Sequence, residues 1–90
     1  KNIKFVRCHI SGEQPLCYMD YVTLEDCTFD KECDRAFEDC MNINAHIKGS
    51  ITNIKNPISG RIEADEVGSV TYTEFAKAPK GACEIIDHSK

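Results

Sequence analysis

The sequence has no tryptophan, only two leucines, and no apolar run near the eighteen or so residues of a membrane-spanning helix. Leucine is scarce while isoleucine is abundant, ten residues, with valine, threonine, phenylalanine and tyrosine in support. That balance favours strands over helices. Positive charge is also in short supply: 11 basic residues stand against 15 acidic ones, a net charge of −4. A nucleic-acid groove or an anionic membrane surface needs the opposite balance, so neither partner is expected. Several motifs are missing: C-x-x-C, G-x-S-x-G, a phosphate-cradling glycine loop, D-x-D-x-D-G and G-G-x-G-x-D. No cofactor and no metal is therefore expected. The first residues lack the apolar core of a signal peptide. Ninety residues allow one small domain. At that size only about 60–65% of the unfolded surface is buried, and a staple or a neighbour is often needed. No reaction is legible in this composition.

What is present is a repeat. Ile3-Lys4-Phe5-Val6-Arg7-Cys8-His9-Ile10 matches Val22-Thr23-Leu24-Glu25-Asp26-Cys27-Thr28-Phe29 position by position, nineteen residues later. Fainter echoes follow at Ile43-Asn44-Ala45-His46-Ile47 and, nineteen beyond, at Ile62-Glu63-Ala64. Pro15-Leu16-Cys17-Tyr18 corresponds to Arg35-Ala36-Phe37-Glu38, twenty later. Within a turn, I-x-G-x-I occurs around Gly49 and again around Gly60, with a looser copy at Gly68. Each piece alternates apolar and polar residues as a half-buried strand does. Glycines, Asn56-Pro57 and Ser11-Gly12 supply the corners. The best helical candidate, 33–41, is short and reads equally well as loop and strand.

Short strands, sharp corners and a period of 19–22 residues predict an all-β fold. Its form is a single-stranded right-handed parallel β-helix of three to four coils over residues 1–73, with a capping tail at 74–90. Like residues lie above like, and stacking supplies the core that no coil buries alone. The alternative is a small disulfide-stapled β domain.

The runs Gly12-Glu13-Gln14-Pro15-Leu16-Cys17-Tyr18, Leu24-Glu25-Asp26-Cys27-Thr28 and Ala36-Phe37-Glu38, with the continuous stretch 45–68, carry a resemblance. The densest part contains I-K-N-P-I-S-G-R-I-E-A-D. This resembles the C-terminal part of a bacterial family of unknown function whose members are similar to pectate-lyase-like β-helices. The likeness covers about residues 2–73 and implies a fold, with no catalytic residues to carry over. Two functions follow as expectations. One is a structural or binding scaffold. The other is a carbohydrate-active enzyme, lyase- or hydrolase-like, with most of its site on coils outside this chain.

Six cysteines leave three readings open: buried free thiols, disulfides, or a metal site. Cys8 and Cys27 share a rung position, so stacked free thiols are the expectation, suiting a reducing cytoplasm. The acidic run from Asp20 to Asp39 reads as solvated surface that discourages edge-to-edge sticking. As a sugar or cation site instead, it would centre on Asp20 and Asp39, nineteen apart. Tyr18 and Tyr21 would then be the stacking platform, although tyrosine fits any half-buried strand. His9 and His46 fall at polar strand positions and read as surface residues.

Three structural expectations complete the reading. Ile3, Phe5, Ile10, Val22, Leu24, Phe29, Ile43 and Ile47 face one core. Arg7 and Asp26 stand side by side outward as an ion pair. The N-terminal face is apolar and covered by upstream coils of a longer chain or by a second copy.

Overall fold

The computed structural model describes residues 2–90. Six strands form it: β1 (Ile3–Val6), β2 (His9–Ile10), β3 (Val22–Phe29), β4 (Ile43–Lys55), β5 (Gly60–Thr71) and β6 (Cys83–Asp87). There is no helix among the described residues. Every pairing is parallel, in the order β1-β3-β4-β5-β6, with β2 beside the far half of β3. Parallel neighbours need a crossover between them. Here each crossover is the rest of a coil, so the chain is a parallel β-solenoid of about four turns.

The nineteen-residue frame holds between the first two coils: Ile3 lies opposite Val22, Phe5 opposite Leu24 and Ile10 opposite Phe29. Cys8 and Cys27 share a rung, since the Thr28 N–H donates to the Cys8 carbonyl. Farther along the period drifts. Tyr18 donates to the Glu38 carbonyl and Phe37 to the Pro15 carbonyl, which sets the offset there at twenty-one rather than twenty. Ile62 lies opposite Ala45, seventeen residues on and not nineteen after Ile43. Register shifts at Glu25/Cys27 and Ile47/Ser50 absorb the differences. A bulge adds a residue to one strand without flipping the faces beyond it.

Corners are made by left-handed backbone, and these positions recur from coil to coil. Arg7 and Asp26 (φ 50 and 54), Leu16 and Phe37 (58 and 62), and Tyr21 and Asn42 (58 and 54) each form a matched pair. Asx residues and glycine accept this conformation readily. Leucine, phenylalanine and tyrosine do not, and the inter-coil backbone bonds at these corners hold them there. At Gly60 (φ 113) no other residue fits, because a Cβ would collide with the Ile43 carbonyl. Residues 33–41 are such a corner, with three left-handed residues, and not a helix.

Inside, Leu24, Ala45 and Ile62 stack in one column, small between large. Phe29 meets Phe37 with ring centroids 6.0 Å apart. Val22, Leu24, Phe29, Ile43 and Ile47 are buried as expected, and Phe5 and Ile10 are half-buried. Ile3 departs from the expectation: it is 37% exposed, because no coil lies beneath β1 among the described residues. All six cysteines are free thiols, four of them buried. Arg7 and Asp26 both point to solvent, yet they form no ion pair. Asp26 Oδ1 is 2.7 Å from His46 Nδ1 on the following coil instead.

Candidate functional site

The richest cluster of polar and aromatic side chains lies where the corners 14–21 and 35–42 stack. Left-handed residues recur at Gln14, Leu16 and Tyr18 and again at Arg35, Phe37 and Asp39. Leu16 and Phe37 pack on or within the core, while Tyr18 projects 65% exposed. Tyr21, at the next corner, is 55% exposed.

Two shallow clefts flank this shoulder. One, about 310 Å³, is lined by Ile3, Tyr18, Met19 and Asp20. Its neighbour, about 440 Å³, includes Ile3, Lys4, Tyr21, Asn42 and Asn44. Asp20 is held by Asn42, whose Nδ2 donates to Asp20 Oδ1 at 2.9 Å. Tyr18, Asp20 and Tyr21 are thus brought together along one edge of the first coil. Asp39 goes elsewhere. Its Oδ2 faces Lys77 Nζ at 3.9 Å, and its Oδ1 is buried without a hydrogen-bond partner. Asp20 instead bridges to Met41 on the next coil.

Glu38 is the residue that sequence reasoning passed over. Its carboxylate is only 13% exposed, accepts from Gln14 Nε2, and lies 3.5 Å from Lys55 Nζ. The proximity of that carboxylate raises the pKa of the Tyr18 phenol above its ordinary value. A carboxylate on one coil paired with a lysine seventeen residues on has no linear signature; only the stacking register joins them.

Several other outward side chains are used between coils. His9 contacts Thr28 and Asp30, Lys4 contacts Glu25, Asn53 donates to Ser69 and Thr71, and His88 meets Glu63. Among the described residues no group of three or more His, Cys, Asp or Glu side chains is placed to hold a metal ion. Nor is any helix among the described residues long and apolar enough to cross a membrane.

Inter-coil polar ladders outside, a mixed-size apolar stack inside and one aromatic shoulder define a parallel β-solenoid with a candidate binding edge. The family model described as "Protein of unknown function (DUF3737)" matches residues 1–86, so the chain belongs to that family. No curated protein and no solved structure matches it.

Proposed function

We propose that this domain is a binding scaffold of right-handed, pectate-lyase-like form from a bacterial cytoplasm, and that its first coil docks further β structure. Residues 1–73 supply the coils and the tail 74–90 covers β5 with β6, with upstream coils of a longer polypeptide or a second chain as the partner. One observation carries the reading: Ile3, Val6, Tyr18 and Tyr21, four of the six exposed large apolar residues, lie on that one coil. An exposed edge strand flanked by apolar side chains is a template for strand addition. The free thiols favour a reducing compartment.

The test is amide hydrogen exchange on β1 during titration with a synthetic strand peptide of alternating apolar and acidic residues. Ile3 already donates to the Tyr21 carbonyl and Arg7 to the Glu25 carbonyl, so the outward amides are those of Lys4 and Val6. Protection of these two amides, lost in a Val6→Asp variant, is the expected outcome. Unchanged exchange at saturating peptide overturns the reading.

The two clefts favour a second reading, carbohydrate recognition, as in a carbohydrate-active enzyme whose site lies mostly on other coils. Tyr18 and Tyr21 offer stacking faces, and Asp20, Asn42 and Asn44 offer polar contacts. Tyrosine fluorescence during titration with neutral and uronic-acid oligosaccharides checks it. Loss of either ring is expected to weaken binding by roughly tenfold, the worth of one good stacking contact. Equal binding by Tyr18→Ala, Tyr21→Ala and the parent excludes this edge.

A further inference from the structure

We infer that the strand fitting the open edge of β1 is β6 of a second copy, so that the chain stacks head to tail. This rests on the reading that the first coil is a docking edge, and it names the occupant. β1 and β6 are the two edges of the sheet. The backbone parity of the two edges matches. On β1, Ile3 donates inward to the Tyr21 carbonyl and Arg7 to the Glu25 carbonyl, leaving the N–H groups of Lys4 and Val6 and the Lys4 carbonyl facing outward, while the Val6 carbonyl accepts from the Cys8 thiol. On β6, His88 donates to Ala64 of β5, so Glu84 and Ile86 face β5 and Ile85 is the free residue between them. A second copy then continues the ladder with Ile85 N–H donating to the Lys4 carbonyl and Val6 N–H donating to the Ile85 carbonyl. That places Glu84 opposite Lys4, Ile85 opposite Phe5 and Ile86 opposite Val6.

Side chains match in this register. Phe5 and Ile85 both occupy the inward column of Leu24, Ala45 and Ile62, and both are only half-buried at their open ends. Val6 and Ile86 occupy the outward column that reads Glu25, His46 and Glu63 in between. Apolar residues in that column occur only at the two edges, where they would cover each other. Glu84 already lies 3.5 Å from Arg61, and Lys4 lies 3.3 Å from Glu25. Docking would insert Glu84 between Arg61 and the incoming Lys4, which alternates charge along the column. The receiving end is open too: a cleft of about 240 Å³ there is lined by Val70, Tyr72, Cys83 and Ile85, among others. A contact between two different faces closes only when its rotation brings a ring back on itself, and coils stacked along one axis do not turn back, so mass should grow with concentration instead of stopping at a dimer.

The experiment is solution mass by light scattering across a concentration series, for the parent and for Lys4→Glu, Glu84→Lys and the double variant. Each single reversal is expected to weaken association roughly tenfold, because an exposed pair is lost and like charges then face each other. The double variant should recover most of the loss. A monomeric mass at every concentration, or a double variant no stronger than the singles, overturns the inference. Amide exchange at Lys4 and Val6 separates the two levels. A monomer whose amides are protected by the strand peptide keeps the docking edge and loses self-assembly. A monomer that takes up no peptide loses both.

Discussion

Leu24 sits on the buried column between Phe5 and Ala45, 2% exposed. Leu24→Ala should cost about 2–5 kcal/mol, the usual range for a buried leucine, and urea unfolding measures it. The contrast is Ile3→Ala: Ile3 belongs to the same strand face but is 37% exposed, so its loss should stay below about 1.5 kcal/mol. Equal losses at the two sites would show that β1 is covered in solution. Asn56 illustrates a different residue-level demand. It is 2% exposed and left-handed (φ 48), and its side chain both donates to Thr73 Oγ1 and accepts from the Thr73 N–H, each at 2.8 Å. Asparagine supplies the tolerated backbone conformation and both halves of that bond. The N-P-I-S-G run is therefore a corner specification, in which Pro57 forbids helix and Gly60 admits the close pass of Ile43.

At the scale of elements, charged side chains clamp the β5–β6 junction. Asp87 Oδ2 accepts the Val67 N–H at 3.1 Å, and Asp87 Oδ1 accepts from the Ser89 hydroxyl and N–H. These bonds, the Ser89 hydroxyl first, hold the Asp87 carboxyl below its ordinary range. Glu63 is lowered likewise, chiefly by the hydrogen bond from His88 and then by the Arg61 guanidinium. A carboxyl depressed in the folded state stabilises the fold above its unfolded pKa. That contribution is lost as pH falls through the folded value. Stability should therefore decline on the acid side of about pH 4.5, with β6 the first strand released. The check is a series of urea midpoints from pH 6 to 3. Glu63→Gln and Asp87→Asn should each flatten the acid limb, and an unchanged pH slope in both variants would rule the clamp out.

For the whole molecule, four coils bury a core whose thiols are part of the packing. Burial pushes the Cys40 and Cys83 thiols up to about 11, away from the reactive thiolate. Cys27, Cys33, Cys40 and Cys83 are buried, whereas Cys8 and Cys17 are half-exposed. Alkylation of the native protein at neutral pH should modify Cys8 and Cys17 first. The other four should react only with denaturant, as mass spectrometry of timed samples would show. Rapid uniform labelling of all six would mean that the coils open faster than the structure implies. The same architecture explains the open ends: each interior coil is covered on both sides, so unpaired backbone collects at the outer edges of β1 and β6, and most of the exposed large apolar side chains lie on the first coil.

Composition and repetition alone determined that the chain is all-β, that it coils, and that Cys8 and Cys27 share a rung. Those properties are periodic, and period is written along the chain. The nineteen-residue match of 3–10 with 22–29 was legible because both strands lie in the most regular part of the stack. Only the tertiary structure decided the later offsets, since bulges at 25–27 and 47–50 and corners of unequal length change the period without leaving a motif. It also decided the partners of charged side chains. Asp26 was expected beside Arg7, one coil earlier, and turns instead to His46, one coil later. Glu38 finds Lys55, Asp39 finds Lys77, and Asp20 finds Asn42. An outward residue has a neighbour on each side, and linear order does not say which one the side chain reaches. The exposure of Ile3 has the same origin: its pattern is that of a core residue, and burial depends on whether another coil lies against it.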